Sequence, residues 1–179
     1  MNFRVPAPQG ALDSACGLYA VVNAAYYVGA ARSKNEVYNL VLGSYSNDSN
    51  IFRKLLLDGT SARELQEMMK KCEKVVPVKF LRLGGGAARI DSTWVKITAA
   101  LNDNRGSCVV VGIDYADEDT GHWTVVNQSS YDASNKSGRL SLYEGGTEVG
   151  GMNYGSMGAG KSKNISNTEV WLVTKRPKD

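Results

Sequence analysis

The chain has 179 residues with 21 Lys and Arg against 18 Asp and Glu, a net charge of +3, and 42% hydrophobic residues. That is enough chain for one domain to bury a core without disulfides or structural metal. The basic residues are dispersed apart from Lys70-Lys71 and the tail Lys175-Arg176-Pro177-Lys178, which excludes an electrostatic case for nucleic acid.

Three cysteines, Cys16, Cys72 and Cys108, lie far apart and form no Cys-x-x-Cys pair, so neither a disulfide framework nor a zinc site is expected. A reducing, cytoplasmic setting fits this usage. No run approaches the length of a membrane span, and Met1-Asn2-Phe3-Arg4-Val5-Pro6 lacks the apolar block of a signal peptide. The expectation is therefore a chain made without a cleaved leader, with no membrane partner and no cofactor.

In chain order, Pro6 and Pro8 favour an extended lead-in. A small-residue apolar helix is then expected over residues 15–28, stopping near Gly29. Cys16 falls in its first turn, where unpaired N–H groups and the helix dipole favour thiolate over thiol. Cys16 is thus a candidate nucleophile, although free cysteines are often inert core residues. Ser33-x-x-Glu36 reads as a capping box for a short helix ending at Gly43, and a helical piece with Ile51, Phe52, Leu55 and Leu56 inward follows a polar break. A second capping box, Ser61-x-x-Glu64, opens a helix with Leu65, Met68 and Met69 inward.

The pattern then turns to strands. Residues 75–81 read as a strand that Pro77 places at a sheet edge or at its own start. A helix capped by Asp91 or Ser92 runs through Leu101, and residues 107–114, 121–128, 139–144 and 169–174 read as further strands. Residues 145–160 are Gly-rich and are expected to be a long surface loop. Helices first and an antiparallel sheet afterwards make an α+β class, one domain over residues 1–179, with the first helix packed on the sheet.

His122 is the single histidine, so any imidazole chemistry must use it. It starts the strand Gly121-His122-Trp123-Thr124-Val125-Val126. Pairing this strand with residues 139–144, Gln128 opposite Gly138, sets Val126 against Leu140, Thr124 against Leu142 and His122 against Glu144. That register gathers apolar residues on the His122 face, which can then cover the first helix, and makes Glu144 the group that orients the imidazole. Asn127, Asp132 and Asn153 are alternatives for that role, with Asn127 on the opposite strand face from His122. Cysteine, histidine and carboxylate then come in the order nucleophile, base and orienter.

Gln9 ahead of Cys16-Gly17, the Gly-His-Trp-x-Val-Val strand and an acidic residue ending the next strand resemble the papain-like cysteine hydrolases. The likeness is greatest to the compact bacterial branch that includes bacteriocin-leader peptidases and effector peptidases. The turn Asp58-Gly59-Thr60-Ser61 is similar to a segment of that branch. The resemblance implies Cys16 as nucleophile, His122 as base and then acid, and Gln9 as an oxyanion donor beside the Cys16 N–H. It implies a protein or peptide substrate cleaved through an acyl-enzyme, and it is compatible with an effector or toxin delivered into another cell. The same residues also serve a glutamine deamidase or acyltransferase, and a non-catalytic binding module on the same fold is the remaining reading.

Two motifs are set aside. Gly155-Ser156-Met157-Gly158-Ala159-Gly160-Lys161-Ser162 matches a phosphate-loop pattern but lacks a helix-forming segment after it. Asp114, Asp117, Glu118 and Asp119 do not have calcium-loop spacing.

Overall fold

The computed structural model describes residues 15–45, 50–51, 53–54, 58–83, 90–115, 121–144, 147–156 and 163–177. Its helices are α1 (Cys16–Tyr27), α2 (Lys34–Gly43), α3 (Ala62–Val75) and α4 (Ile90–Asp103). Its strands are β1 (Val78–Arg82), β2 (Cys108–Tyr115), β3 (Gly121–Asp132), β4 (Ser137–Glu144), β5 (Thr147–Asn153) and β6 (Lys163–Lys175). They form one antiparallel sheet in the order β1-β6-β2-β3-β4-β5. The α+β class with α1 on an antiparallel sheet is as expected.

Helices cover both faces. On one, α1, α2 and α3 pack with Val78, Cys108, Val110, Val125, Trp171 and Val173. On the other, Trp94 and Ile97 of α4 pack with Val109, Val111, Ile113, Val126, Leu140 and Leu172. Burial on both sides explains the unbroken apolar run in β2, because neither parity of a central strand meets water.

Local chemistry sets the helix ends. Ser33 Oγ accepts from the Glu36 N–H at 3.1 Å, but the Glu36 carboxylate takes the Arg32 N–H instead of closing a reciprocal box. Ser61 and Glu64 do form a complete box at the start of α3. Asp91 lies in the first turn of α4, which begins at Ile90, and its carboxylate accepts from the hydroxyls of Tyr131 and Tyr154. Ile51 is 42% exposed, so the inward placement expected for it does not hold; Phe52, Leu55 and Leu56 lie outside the described residues.

The glycine-rich stretch departs from expectation. Residues 147–153 are strand β5, paired with β4 from Arg139–Asn153 to Glu144–Thr147, and Tyr154–Ser156 is a 3-10 turn. Glycine suits this strand because its backbone passes close to β4: a Cβ on Gly151 would lie 2.9 Å from the Leu140 carbonyl oxygen. Residues 157–162 lie outside the description, and a strand, β6, follows them where a phosphate loop requires a helix.

Strand β1 starts just after Pro77 and is an edge, as the proline suggests. Two of its outward backbone groups are covered. The Phe80 N–H donates to Glu73 Oε1 at 2.7 Å, and the Arg176 guanidinium donates to the Val78 carbonyl at 3.3 Å. Such caps prevent edge-to-edge pairing. Glu73→Ala should therefore lower stability by about 1 kcal/mol and the unfolding midpoint by about 2–4 °C, read by thermal denaturation. Light scattering should also show more self-association, because the Phe80 donor is freed.

Candidate functional site

Helix α1 begins at Cys16. Its N-cap residue Ala15 has no side-chain acceptor, and the first ladder bond runs from the Tyr19 N–H to the Ala15 carbonyl at 3.1 Å. The N–H groups of Cys16, Gly17 and Leu18 therefore point beyond the helix end without an intrahelical partner. Cys16 is partly exposed, whereas Cys72 and Cys108 are buried. Burial, with help from Glu73, pushes the Cys72 thiol up to about 12, and burial raises Cys108 as well. Both buried thiols stay protonated, which leaves Cys16 as the cysteine with access to a reactant.

The turn before α3 presses against this helix end. A Cβ on Gly17 would lie 2.5 Å from Thr60 Cβ, 2.6 Å from its Cγ2 and 2.7 Å from its Oγ1. Only glycine permits that approach. The Thr60 carbonyl accepts from Trp123 Nε1 at 2.6 Å, and the Trp123 ring lies 5.9 Å from Trp171. Thr60 thereby ties the first turn of α1 to the start of β3.

The other end of α1 confirms its direction. The Asn127 side chain lies near the Tyr27 hydroxyl, and Tyr27 meets Tyr143 edge-on at 5.0 Å, while Cys108 Sγ reaches the Ala24 carbonyl at 3.7 Å. Lys34 is buried there, with Nζ 5.5 Å from the rings of both Tyr26 and Tyr143, and burial pushes its amine pKa down. Helix α1 and strand β3 thus run the same way, with the Cys16 and His122 termini at one end of the molecule. From Cys16 to Tyr27 the helix spans about 16 Å.

Which face His122 occupies is a correction. It pairs with Ile113, which belongs to the α4-side core, while Trp123 and Val125 pack on the α1 side. The face carrying His122, Thr124 and Val126 therefore meets α4, not α1. The physical reason is that both parities of β3 are buried, Thr124 and Val126 on one face and Val125 on the other, so hydrophobic alternation could not tell the faces apart.

The hairpin register is a second correction. Val126 pairs with Leu142, not Leu140, and beyond a bulge Tyr131 pairs with Gly138. The strand runs on to Asp132, whose carboxylate caps the turn by accepting from Ser134, Asn135 and the Asn135 amide. Glu144 ends β4 opposite Thr147 and is not set opposite His122; extending the Val126–Leu142 ladder would bring it to Thr124. Its side chain lies outside the described residues, as does Gln9.

The alternatives to Glu144 are placed away from His122. Asn127 faces Tyr27 at the far end of α1, and Asp132, ten residues along β3, is about 33 Å from His122 if the strand is straight. Asn153 pairs with Arg139, whose other neighbour is Ser130, at that same far end. The structure thus gathers Cys16, Gly17, Thr60 and Trp123, with His122 one residue from Trp123. From sequence, Thr60 reads as part of the 58–61 turn and Trp123 as core or a wall of the site, and the hydrogen bond that joins them is not anticipated. The signal available was Gly17 itself, a small residue directly after a candidate nucleophile.

No family model matches the chain, and no curated protein matches it. Among the described residues no cluster of His, Cys, Asp and Glu could hold a metal ion, and no helix is long and apolar enough to cross a membrane.

Gly17→Ala should cost about 1–3 kcal/mol, because its methyl meets a buried β-branched side chain. The double variant Gly17→Ala/Thr60→Gly should recover part of the loss in denaturant melts. Acid should act on the same turn through Glu64. Hydrogen bonds from Lys54, then Ser61, hold its carboxyl at about 2, below the ordinary 4.5. Its contribution is present above pH 4.5 and lost as pH falls toward 2, so the stability gap between wild type and Glu64→Ala should close over that window.

Proposed function

We propose that this chain is a thiol hydrolase that cleaves a peptide or isopeptide bond through an acyl-enzyme on Cys16. The observation that carries the reading is the position of Cys16: partly exposed, first in a helix whose start carries no side-chain cap among the described residues. There the dipole and the first-turn N–H groups favour the oxyanion formed when the Cys16 sulfur attacks a carbonyl.

In this reading His122 accepts the thiol proton and returns it to the leaving amine. Its chain position supports this, since the start of β3 is tied through Trp123 and Thr60 to the start of α1. Its face imposes a condition. The imidazole reaches Cys16 around the end of the strand, which requires the terminal pairs Asp114–Gly121 and Ile113–His122 to open. Strand ends open at low free-energy cost, so this gating step is compatible with turnover. Gln9 is assigned as an oxyanion donor on the resemblance, and Glu144 keeps the orienting role as the acidic residue that ends β4, without the register that would have set it opposite His122. Deamidation or acyl transfer would use the same acyl-enzyme with a different acceptor.

Labelling with a thiol-reactive acyl probe tests this. Cys16→Ala should abolish labelling, and His122→Ala should slow it about 10²–10⁴-fold at neutral pH. Labelling unchanged by Cys16→Ala refutes the nucleophile. A rate unchanged by His122→Ala removes the imidazole from the mechanism.

A further inference from the structure

We propose that Thr60 is a further binding residue of the acyl site, its hydroxyl donating to the oxygen that becomes negative when Cys16 attacks a carbonyl. The assignment rests on the reading of Cys16 as nucleophile and adds a donor to it. Three observations converge on Thr60.

The hydroxyl is the first. Thr60 is only 9% exposed, and its Oγ1 has no hydrogen-bond partner among the described residues. A buried hydroxyl left unpaired costs about 1–3 kcal/mol, so a fold that retains one holds a donor in reserve.

Its location is the second. Thr60 packs on Gly17, the residue after Cys16, at a helix end where Ala15 supplies no cap. The N–H groups of the first turn, which have no partner within the helix, and the Thr60 hydroxyl are donors of one kind, suited to one acceptor of negative charge.

Rigidity is the third. The Thr60 carbonyl is held by Trp123 Nε1, and Ser61, the next residue, caps α3 in a box that Lys54 braces through Glu64 at 2.6 Å. With its Cβ against Gly17, the side chain is fixed before any reactant arrives, and such preorganisation is what makes a donor effective.

In the step concerned, the Cys16 sulfur–carbon bond forms and the carbonyl π pair moves onto oxygen, where Thr60 donates a hydrogen bond without giving up its proton. Collapse restores the carbonyl and expels the amine, which takes the proton held by His122.

The test uses the intact chain and two alkylating agents, iodoacetate, whose carboxylate stands in for the oxyanion, and neutral iodoacetamide. Thr60→Val, which keeps the shape and removes the hydroxyl, should slow carboxymethylation of Cys16 by about tenfold or more. Carbamidomethylation should change by less than about twofold, and Thr60→Ser should retain the wild-type ratio. The Val variant should melt no lower than wild type, since it loses an unpaired buried hydroxyl. If it does not fold, Thr60→Ala against Thr60→Ser gives the same comparison. A ratio that does not depend on the hydroxyl overturns the Thr60 assignment and leaves Cys16 standing. Alkylation that persists in Cys16→Ala at the wild-type rate overturns both.

Discussion

Everything at the candidate site depends on one close approach, that of Thr60 to the first turn of α1. Because Gly17 has no Cβ, the 58–61 turn comes within contact of the helix backbone beside Cys16. The same residue's carbonyl anchors the Trp123 indole, and Trp123 in turn packs near Trp171 on β6. Segments far apart in sequence are thus held at one corner by a single threonine, whose side chain packs on Gly17 and whose carbonyl accepts a hydrogen bond. A larger residue at position 17 would separate the helix from the turn, and with it the thiol from the strand.

The corner is stiff because its neighbours are independently fixed. Ser61 and Glu64 close the start of α3, so the peptide that carries Thr60 cannot drift along the helix axis. Across the layer, Val21 and Val125 are buried in the common core, which sets the height of α1 above the sheet. Since α1 and β3 run in one direction, their starts share an end of the molecule and their finishes share the other, where Tyr27, Asn127 and Tyr143 meet. Parallel travel of helix and strand brings Cys16 and the Gly121-His122-Trp123 segment to the same end without a long connecting loop.

How much of this could be read beforehand follows from which signals are local. Caps and stops are local, and Ser33, Ser61, Gly29 and Pro77 bounded their elements well. Inward Leu65, Met68 and Met69 followed from the helical period alone. Strand β5 was hidden because its stabilising contacts are backbone to backbone with β4, and glycines carry no side-chain pattern. Register was misjudged for a related reason: the hairpin extends to Asp132, and its polar outer residues, Gln128, Ser129 and Ser130, carry no apolar alternation to mark them as strand. The faces of β3 could not be told apart because Val125 and Val126 are both buried, one in each core. The role of Thr60 could not be found without the fold, since it depends on a contact with Gly17 across 42 intervening positions of chain.

The alternation of β3 also divides its labour. Adjacent residues of a strand point to opposite faces, so one of His122 and Trp123 must face α1 and the other α4. The chain places Trp123 toward α1, where a large flat ring with one donor can both fill the layer and hold the Thr60 carbonyl. A histidine in that position would fill less of the layer than the indole does. Held instead on the second residue of the strand, beside its last pair, the imidazole sits where the ladder is most easily opened. In the proposed chemistry the tryptophan therefore keeps the corner assembled while the imidazole beside it carries the proton.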